Sequence, residues 1–213
     1  LWVGVSHDMS ERRRVEDELR TKQNEQRSFQ EQLKVLHEVG NELSTAESFD
    51  DLCRRAVELG RDRLGFERIS LWFLDNADPD SLVGSFGIDE QGTVRDERNR
   101  RARVSRDDTL KIFLERQERY LHFPNRPLYN HRQEKIGLGA AVLAGIWDAQ
   151  NLIGLITTDN FLSRKKTTPQ DCEVLSLFAS TVGHLCSLKR AEEERGALQR
   201  LSQRLMRPLS IRE

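Results

Sequence analysis

Apolar residues near the start of the chain recur at alternating spacings of four and three. The seam that they mark consists of Val15, Leu19, Lys22, Gln26, Phe29, Leu33, Leu36, Gly40 and Leu43. An apolar period of 3.5 residues is typical of a coiled coil, and polar residues within the seam lower its stability while fixing its register. The pattern predicts a helix from Ser10 to Leu43 that pairs with a second copy in a parallel homodimer. The alternative is one amphipathic helix that packs on the body of its own chain.

A second helix and a set of strands follow. Ser48 and Asp51 are spaced as an N-terminal cap. Apolar residues then recur at helical spacing as far as Leu64, and Gly65 is placed to end the helix. From residue 66 the apolar period changes to two, which together with strong β formers predicts strands. The predicted strands cover residues 67–74, 81–88, 120–123, 138–147 and 152–158, and the small, continuously apolar run at 138–147 predicts a strand buried on both faces.

Three segments between these strands lack the alternation. Residues 89–106 are predicted to be an irregular, charged stretch, and acidic residues lie among the arginines from Arg95 to Arg103. These arginines are therefore expected to pair within the stretch rather than to bind an anion. A helix capped by residue 107 or 108 is predicted as far as residue 118. The two prolines between Pro124 and Lys135 predict a loop.

The last predicted element is a long helix from Pro169 to Met206. Thr168 is a favourable N-cap, proline suits the first helical position, and Asp171 favours the positive end of the helix dipole. From Lys189 the helix is charged, and leucines then recur at helical spacing, which predicts a second coiled-coil seam. The residues expected at the dimer interface are Val15, Leu19, Phe29, Leu33, Leu36, Leu43, Leu198, Leu201 and Leu205.

Composition narrows the class of protein. Of the 213 residues, 34 are Lys or Arg and 35 are Asp or Glu, which argues against direct nucleic-acid binding because such binders carry a positive surface. The longest apolar stretch, Ala140 to Trp147, is far shorter than the ~20 residues of a membrane-spanning helix. Three cysteines without a C-x-x-C pair predict a reduced, cytoplasmic protein. Because the chain does not begin with Met, we expect it to be part of a longer protein.

Five stretches of the body together resemble the GAF domain, a PAS-like sensory module. They are Phe49–Leu52, Ser70–Leu74, Gly84–Gly92, Asn151–Asn160 and Thr168–Asp171. The resemblance implies an α+β fold with a central antiparallel sheet of about six strands and flanking helices, bracketed by long coiled-coil helices at the N and C termini. It also implies a small-molecule pocket on the face of the sheet away from the helices.

The first residues are similar to the end of a PAS domain. Trp2 to Val5 resembles its last strand, and Asp8 to Arg12 resembles the junction at which signalling helices start. The resemblance implies an upstream PAS domain and a downstream output domain in the same polypeptide. The expected segments are the end of a PAS domain at 1–9, a signalling helix at 10–46, a GAF domain at 47–190 and a linker helix at 191–213.

The resemblance also suggests which residues would meet a small-molecule ligand. The candidates are Trp72, His122, Tyr129, His131, Trp147 and Asp159. The two tryptophans lie on strands and either line the pocket or belong to the core. The two histidines flank the loop that often covers the pocket in this fold, and Tyr129 within it is the residue most expected to move with a ligand. Lone histidines without ligand spacing do not predict a metal site.

The known cofactors of the family lack their usual residues in this sequence. Cyclic-nucleotide-binding members carry a dispersed Asn-Lys-Phe-Asp-Glu signature, which Asp159-Asn160-Phe161 matches only superficially. Bilin-binding members need a cysteine that is often followed by histidine, whereas Arg54, Glu173 and Ser187 follow the cysteines here. Bilin, cyclic nucleotide and haem are therefore not supported, and the cofactor is unknown. No catalytic constellation is predicted.

These patterns lead to a main hypothesis and two alternatives. The main hypothesis is a sensory and dimerisation module that receives a signal from a small molecule or a neighbouring domain and relays it through its helices to an output domain. The output is expected to be a two-component sensor histidine kinase, because residues 198–206 resemble the helix before kinase dimerisation domains. Residues 208–213 are similar instead to the entry of a LuxR-type transcription regulator. The alternatives are a ligandless scaffold and an enzyme of sulfoxide reduction, whose paired thiols the sequence does not show.

Overall fold

The computed structural model describes residues 3–75, 77–78, 80–103, 111–116, 118–132 and 134–205. Its helices and strands are, in chain order, α1 (Val3–Leu43), α2 (Phe49–Asp62), β1 (Arg68–Leu74), β2 (Ser81–Ile88), β3 (Val94–Asp96), β4 (Arg101–Arg103), α3 (Lys111–Arg116), β5 (Tyr120–Tyr129), β6 (Lys135–Asp148), β7 (Asn151–Asp159) and α4 (Pro169–Leu205). The predicted fold class is confirmed, because an α+β body with a seven-stranded antiparallel sheet lies between two long helices.

The sheet has the strand order β3-β2-β1-β7-β6-β5, and β4 pairs with the other half of the β2 edge. Successive side chains of a strand point to opposite faces. In β1, Ile69, Leu71 and Phe73 are buried in the core that includes the helices. Trp72 and Leu74 instead join a separate apolar cluster on the other side. We call the side covered by the helices the inner face and the opposite side the outer face.

Three helices cover the inner face and form the main core with it. Leu36, Val39 and Leu43 of α1 are buried there together with apolar residues of α2 and α4. α2 runs antiparallel to α4, since Phe49 lies beside Arg190 whereas Gly60 lies beside Phe178. α1 and α2 therefore both pack against the middle of α4.

The two long helices run in the same direction. The side-chain amide of Gln170 donates to the carbonyl oxygen of Glu25 at 3.4 Å, and farther along both helices Gly40 lies against Thr181. The exposed first part of α1 therefore extends beyond one end of the body, and the exposed last part of α4 extends beyond the other. At ~1.5 Å per residue, each helix is about 55–60 Å long.

The predicted helix starts of α2 and α4 are confirmed. Ser48 Oγ accepts a hydrogen bond from the Asp51 N–H at 3.1 Å, and Gly65 follows α2 with a φ of 79°. Thr168 Oγ1 accepts from the Asp171 N–H at 3.2 Å, while the Asp171 carboxylate accepts from the Thr168 N–H at 2.8 Å. These bonds satisfy N–H groups that the first turn of a helix leaves without partners, which is why the helices start there.

The start of α1 differs from the prediction. The helix begins at Val3 rather than at Ser10, so the predicted strand over residues 2–5 is wrong from Val3 onward. A lone strand leaves its backbone groups without partners, whereas a helix satisfies them within itself. The assignment of residues 1–9 to the end of a PAS domain stays a prediction.

The proline-containing segment also differs. Instead of a loop from Pro124 to Lys135, β5 continues to Tyr129 and forms a long hairpin with β6. Prolines are tolerated on the edge strand of a sheet, where one side of the strand forms no ladder hydrogen bonds. β5 is such an edge strand, and its register shifts around Pro124.

Short strands replace part of the predicted irregular stretch. β3 and β4 pair with the two halves of β2, because residues 94–96 and 101–103 reach its free edge. The helix predicted up to residue 118 is confirmed as α3 over Lys111–Arg116. The predicted cap residues Asp107 and Asp108 lie outside the described residues.

Candidate functional site

The apolar part of the outer face is occupied by side chains of the same chain. Phe113 of α3 lies there with no exposed surface. It belongs to a cluster formed with Leu82, Leu143, Leu152 and Leu155, and bordered by Trp72 and Trp147. Both tryptophans therefore lie at the edge of a second small core, in the region where the sequence predicted a ligand pocket.

Polar groups lie beside this cluster on the same face. The hydroxyl groups of Ser70 and Thr157 are 2.8 Å apart across β1 and β7, and Trp72 Nε1 donates to Ser70 Oγ at 2.9 Å. The Arg100 guanidinium lies over the Trp72 ring, 5.8 Å from its centroid, and donates to the Glu97 carboxylate at 2.5 Å. The β3–β4 connection is thereby joined to the indole.

Two glycines of β2 allow this connection to lie directly on the sheet. A Cβ atom on Gly84 would lie 2.5 Å from the carbonyl oxygen of Glu97, and one on Gly87 would lie 2.9 Å from Glu97 Oε2. The prediction that the arginines pair within the charged stretch is confirmed for Arg95, Arg98 and Arg100, whereas Arg101 pairs with Asp75, which lies before the stretch.

A polar site lies where β1 begins and β7 ends. Arg68 Nη2 is 3.6 Å from Asp159 Oδ2, and it donates to the carbonyl oxygen of Tyr129 at 2.7 Å. Arg68 Nε and Nη1 are buried without a hydrogen-bond partner among the described residues. Burial raises the pKa of the Asp159 carboxyl, and the charge of Arg68 opposes that shift.

The tip of the β5–β6 hairpin is attached to the rest of the body near this polar site. His131 Nδ1 and Glu90 Oε1 are 3.0 Å apart, which joins the hairpin tip to the turn after β2. His122 lies elsewhere: it is exposed on β5 and is paired in register with Val142, a residue of the inner-face core. His122 is therefore not part of the outer-face site.

The candidate ligand residues thus fall into separate places. The tryptophans border the filled cluster, whereas Tyr129, His131 and Asp159 lie near the hairpin tip. The sequence analysis missed Arg68 and Glu90, which connect those residues. Arg68 could have been recognised from the sequence, because it is a charged residue on the same strand face as Trp72. Nothing in the sequence pairs Glu90 with His131, which lies far along the chain.

The predicted dimer residues also fall into two groups. Leu36 and Leu43 are 8% and 1% exposed in the core of their own chain, so the prediction that they face a partner is wrong. Their seam period continues because this half of α1 packs within the body, and Phe29 and Leu33 contact the same core. The exposed members are Val15, Leu19, Leu198 and Leu201. The side chain of Leu205 lies outside the described part of the chain.

The thiols are core groups. Cys53 and Cys186 are fully buried on α2 and α4, and a hydrogen bond to Cys53 together with burial raises the pKa of the Cys186 thiol. Burial raises the pKa of Cys172 to about 11. Reactive thiols are accessible and have a lowered pKa, so the proximity of Cys53 and Cys186 does not favour sulfoxide reduction. The described residues hold no group of three or more His, Cys, Asp or Glu side chains that could bind a metal ion.

The family of the chain follows from a sequence comparison. The family model of the GAF domain matches residues 48–184, and the chain belongs to the GAF domain family. GAF domains are sensory domains within multi-domain proteins, and this is the class of module that the chain represents. No curated protein matches the sequence.

Solved structures share this fold at low sequence identity. The GAF domain of a phosphoenolpyruvate-protein phosphotransferase from Coxiella burnetii is 14% identical, with a TM-score of 0.61 over 78% of this chain and 98% of that one. Residues 122 to 287 of a methyl-accepting chemotaxis protein are 19% identical, with a TM-score of 0.57 over 72% and 97%. A bacteriophytochrome from R. palustris is 17% identical, with a TM-score of 0.62 over 86% of this chain but only 43% of its own length. At these identities the similarity shows the fold alone.

The helices in the described part of the chain were also compared with the requirements of a bilayer. None of them combines the length and the apolar character that a membrane-spanning helix needs.

Proposed function

We propose that this chain is a relay module, in which a signal received by the GAF body changes the packing of the two long helices. The observation that carries the proposal is the parallel course of α1 and α4, which extend from opposite ends of the body. A shift of one helix against the other would therefore reach both neighbouring segments of the polypeptide. Such a signal must favour one packing by roughly 1–3 kcal/mol.

The relay acts as a parallel homodimer in this proposal. Val15 and Leu19 are 60% and 55% exposed on the part of α1 beyond the body, and Leu198 and Leu201 are 64% and 54% exposed on the opposite part of α4. A second copy would cover both pairs at once, because the two helices run in the same direction. Without a partner, these four side chains remain in water.

Sedimentation of the full chain tests the dimer. We expect two copies for the wild type and one copy for the double variant Val15→Glu/Leu19→Glu, with the melting temperature of the body unchanged because these residues lie outside it. Glu16→Ala, on an exposed neighbouring position, is the matched control and is expected to stay dimeric. A wild type that sediments as one copy at micromolar concentration would contradict the dimeric relay.

The ligandless scaffold is the second candidate function, and Phe113 favours it. This side chain has no exposed surface within the outer-face cluster, where the sequence predicted a small-molecule pocket. Native mass spectrometry after gentle purification discriminates the two functions. A small molecule retained at one per chain would contradict the scaffold, whereas a dimer without added mass would support it.

The remaining parts of the proposal concern the longer protein. We infer a cytoplasmic protein with a PAS domain upstream and a histidine kinase downstream, and a LuxR-type regulator is the alternative output. The support is the sequence similarity at residues 1–12 and 198–213. Sequencing the codons that follow Glu213 tests the output: a helix with a His-Glu or His-Asp motif supports the kinase, and a short helix-turn-helix unit supports the regulator.

A further inference from the structure

Two charged residues in the last part of α4, Arg190 and Glu193, contact the start of α2. Side chains of α4 are buried as late as Cys186, and Arg190 is half-buried. From residue 194 to residue 203 the helix is exposed except at Gly196, which is half-buried. We call residues 194–205 the exit segment. An isolated helix shorter than roughly 12–15 residues is marginal in water, so the order of this segment depends on the part of α4 that precedes it.

Arg190 lies over two aromatic rings of the body. Its guanidinium carbon is 4.4 Å from the centroid of the Phe49 ring and 5.0 Å from that of Phe73. The two rings contact each other, with centroids 5.2 Å apart and an interplanar angle of 54°. A cation over an aromatic face is attracted by the negative charge of the ring face. Arg190 thereby connects α4 with the first residue of α2 and with strand β1.

Glu193 makes the second connection to the same place. Its Oε1 accepts a hydrogen bond from the backbone N–H of Phe49 at 2.7 Å. This N–H belongs to the first turn of α2, where backbone donors lack partners within the helix and the helix dipole favours a negative charge. Arg190 and Glu193 lie three residues apart on one face of α4. We call Phe49, Phe73, Arg190 and Glu193 the exit joint.

Strand β1 connects the exit joint with the outer face. Phe73 is buried on the inner face, and its neighbour Trp72 lies on the outer face in contact with Ser70 and Arg100. A displacement of β1 caused by a change around Trp72 therefore moves the Phe73 ring beneath Arg190. This short route runs through one strand and needs no rearrangement of the remaining core.

We propose that the exit joint controls the order of the exit segment in response to the position of β1. An intact joint holds α4 at the start of α2, so that the exit segment continues as a helix. A shift of β1 weakens the contacts of Arg190 and Glu193, and the exit segment then frays while the body stays folded. The inference rests on the proposed relay function and names the residues that regulate it.

Amide hydrogen exchange of the full chain, read by mass spectrometry, tests the joint. Arg190→Met keeps the aliphatic part of the side chain, and Glu193→Ala removes the acceptor of the Phe49 N–H. We expect either variant to accelerate exchange in the exit segment by roughly five- to tenfold. The matched controls Arg195→Met and Glu194→Ala change the same residue types on the same helix and are expected to leave these rates within about twofold.

Exchange in the body separates a controlling role from a merely structural one. The proposal requires that β1, the buried part of α4 and the part of α2 beyond its first turn keep their exchange rates in both joint variants, whereas the first turn of α2 exchanges faster in Glu193→Ala because the Phe49 N–H loses its acceptor. Equal acceleration in the body and the exit segment, or exit-segment rates that match the controls, would overturn it. The same measurement in the Val15→Glu/Leu19→Glu variant distinguishes the two proposals, because loss of the dimer leaves the joint effect in place.

A double-variant experiment tests the connection to the outer face. Trp72→Phe removes the indole donor to Ser70 and reduces the surface under Arg100. We expect it to accelerate exchange in the exit segment when Arg190 is present and to add nothing in the Arg190→Met background. Additive effects of the two substitutions would mean that β1 does not act through the joint.

Discussion

Replacing Phe113 by alanine tests whether the outer face is a second core or an open ligand pocket. The side chain has no exposed surface and packs within the cluster of the outer face. Removal of a fully buried phenylalanine ring costs about 3–5 kcal/mol, through lost burial and the cavity left behind. In a chain of this length, each kcal/mol lowers the melting temperature by about 2–4 °C, so we expect a decrease of about 6–20 °C.

Urea unfolding followed by tryptophan fluorescence is a suitable assay, because Trp72 and Trp147 border the cluster. The midpoint is expected to fall while the slope with denaturant stays constant, since the variant exposes a similar surface on unfolding. Leu162→Ala serves as the control, because this leucine is 45% exposed and its truncation is expected to change the free energy of unfolding by about 0.5 kcal/mol or less.

A loss of less than about 1 kcal/mol for Phe113→Ala would refute the reasoning, because a ring without enclosing neighbours contributes little. The outer face would then be an accessible surface, and the relay with a small-molecule signal would gain support over the scaffold. The expected large loss would instead mean that a ligand has to displace Phe113 before it binds there.

Three further substitutions test other parts of the structure. Burial raises the pKa of the Asp159 carboxyl above 3.8, so the folded state holds this proton more tightly than the unfolded state does. The stability of the wild type relative to Asp159→Asn should therefore be highest in acid and decline as the pH rises through the raised pKa. Denaturation at several pH values checks the sign, and a stability difference that does not change with pH would contradict it. Ser48→Ala removes the acceptor of the Asp51 N–H and should cost about 1 kcal/mol in urea unfolding, whereas an unchanged midpoint would show that the cap contributes nothing. Gly84→Ala places a Cβ 2.5 Å from the carbonyl oxygen of Glu97 and should lower the free energy of unfolding by about 1–3 kcal/mol. A variant of wild-type stability would show that the β3–β4 connection can move away from β2 without an energetic cost.

Local chemistry explains why much of the fold was predictable from the sequence. The caps at Ser48 and Thr168 depend on residues three positions apart, and the alternation in β1 depends on neighbours two positions apart. Such patterns are visible without knowledge of the tertiary structure. The β5 strand was missed because its prolines disfavour a strand in general, and only its position at the sheet edge removes that cost.

The candidate site was less predictable because its contacts are long-range. Nothing local brings Phe113 onto the outer face, and the pairing of Arg68 with Tyr129 and Asp159 joins three strands. The seam of α1 illustrates a different limit. A 3.5-residue apolar period describes a helix that packs on its own body as well as one that packs on a second copy, and the buried Leu43 belongs to the first case.

The unbroken course of α4 from the core into the exit segment has a geometric consequence for the proposed output domain. Each residue of a helix advances the direction of the next by ~100°, so one inserted residue would aim a following domain at a different side of the axis. Seven inserted residues complete almost two whole turns and nearly restore the original orientation. The number of residues between this body and the proposed output domain is therefore expected to tolerate changes in steps of seven and to reject most others.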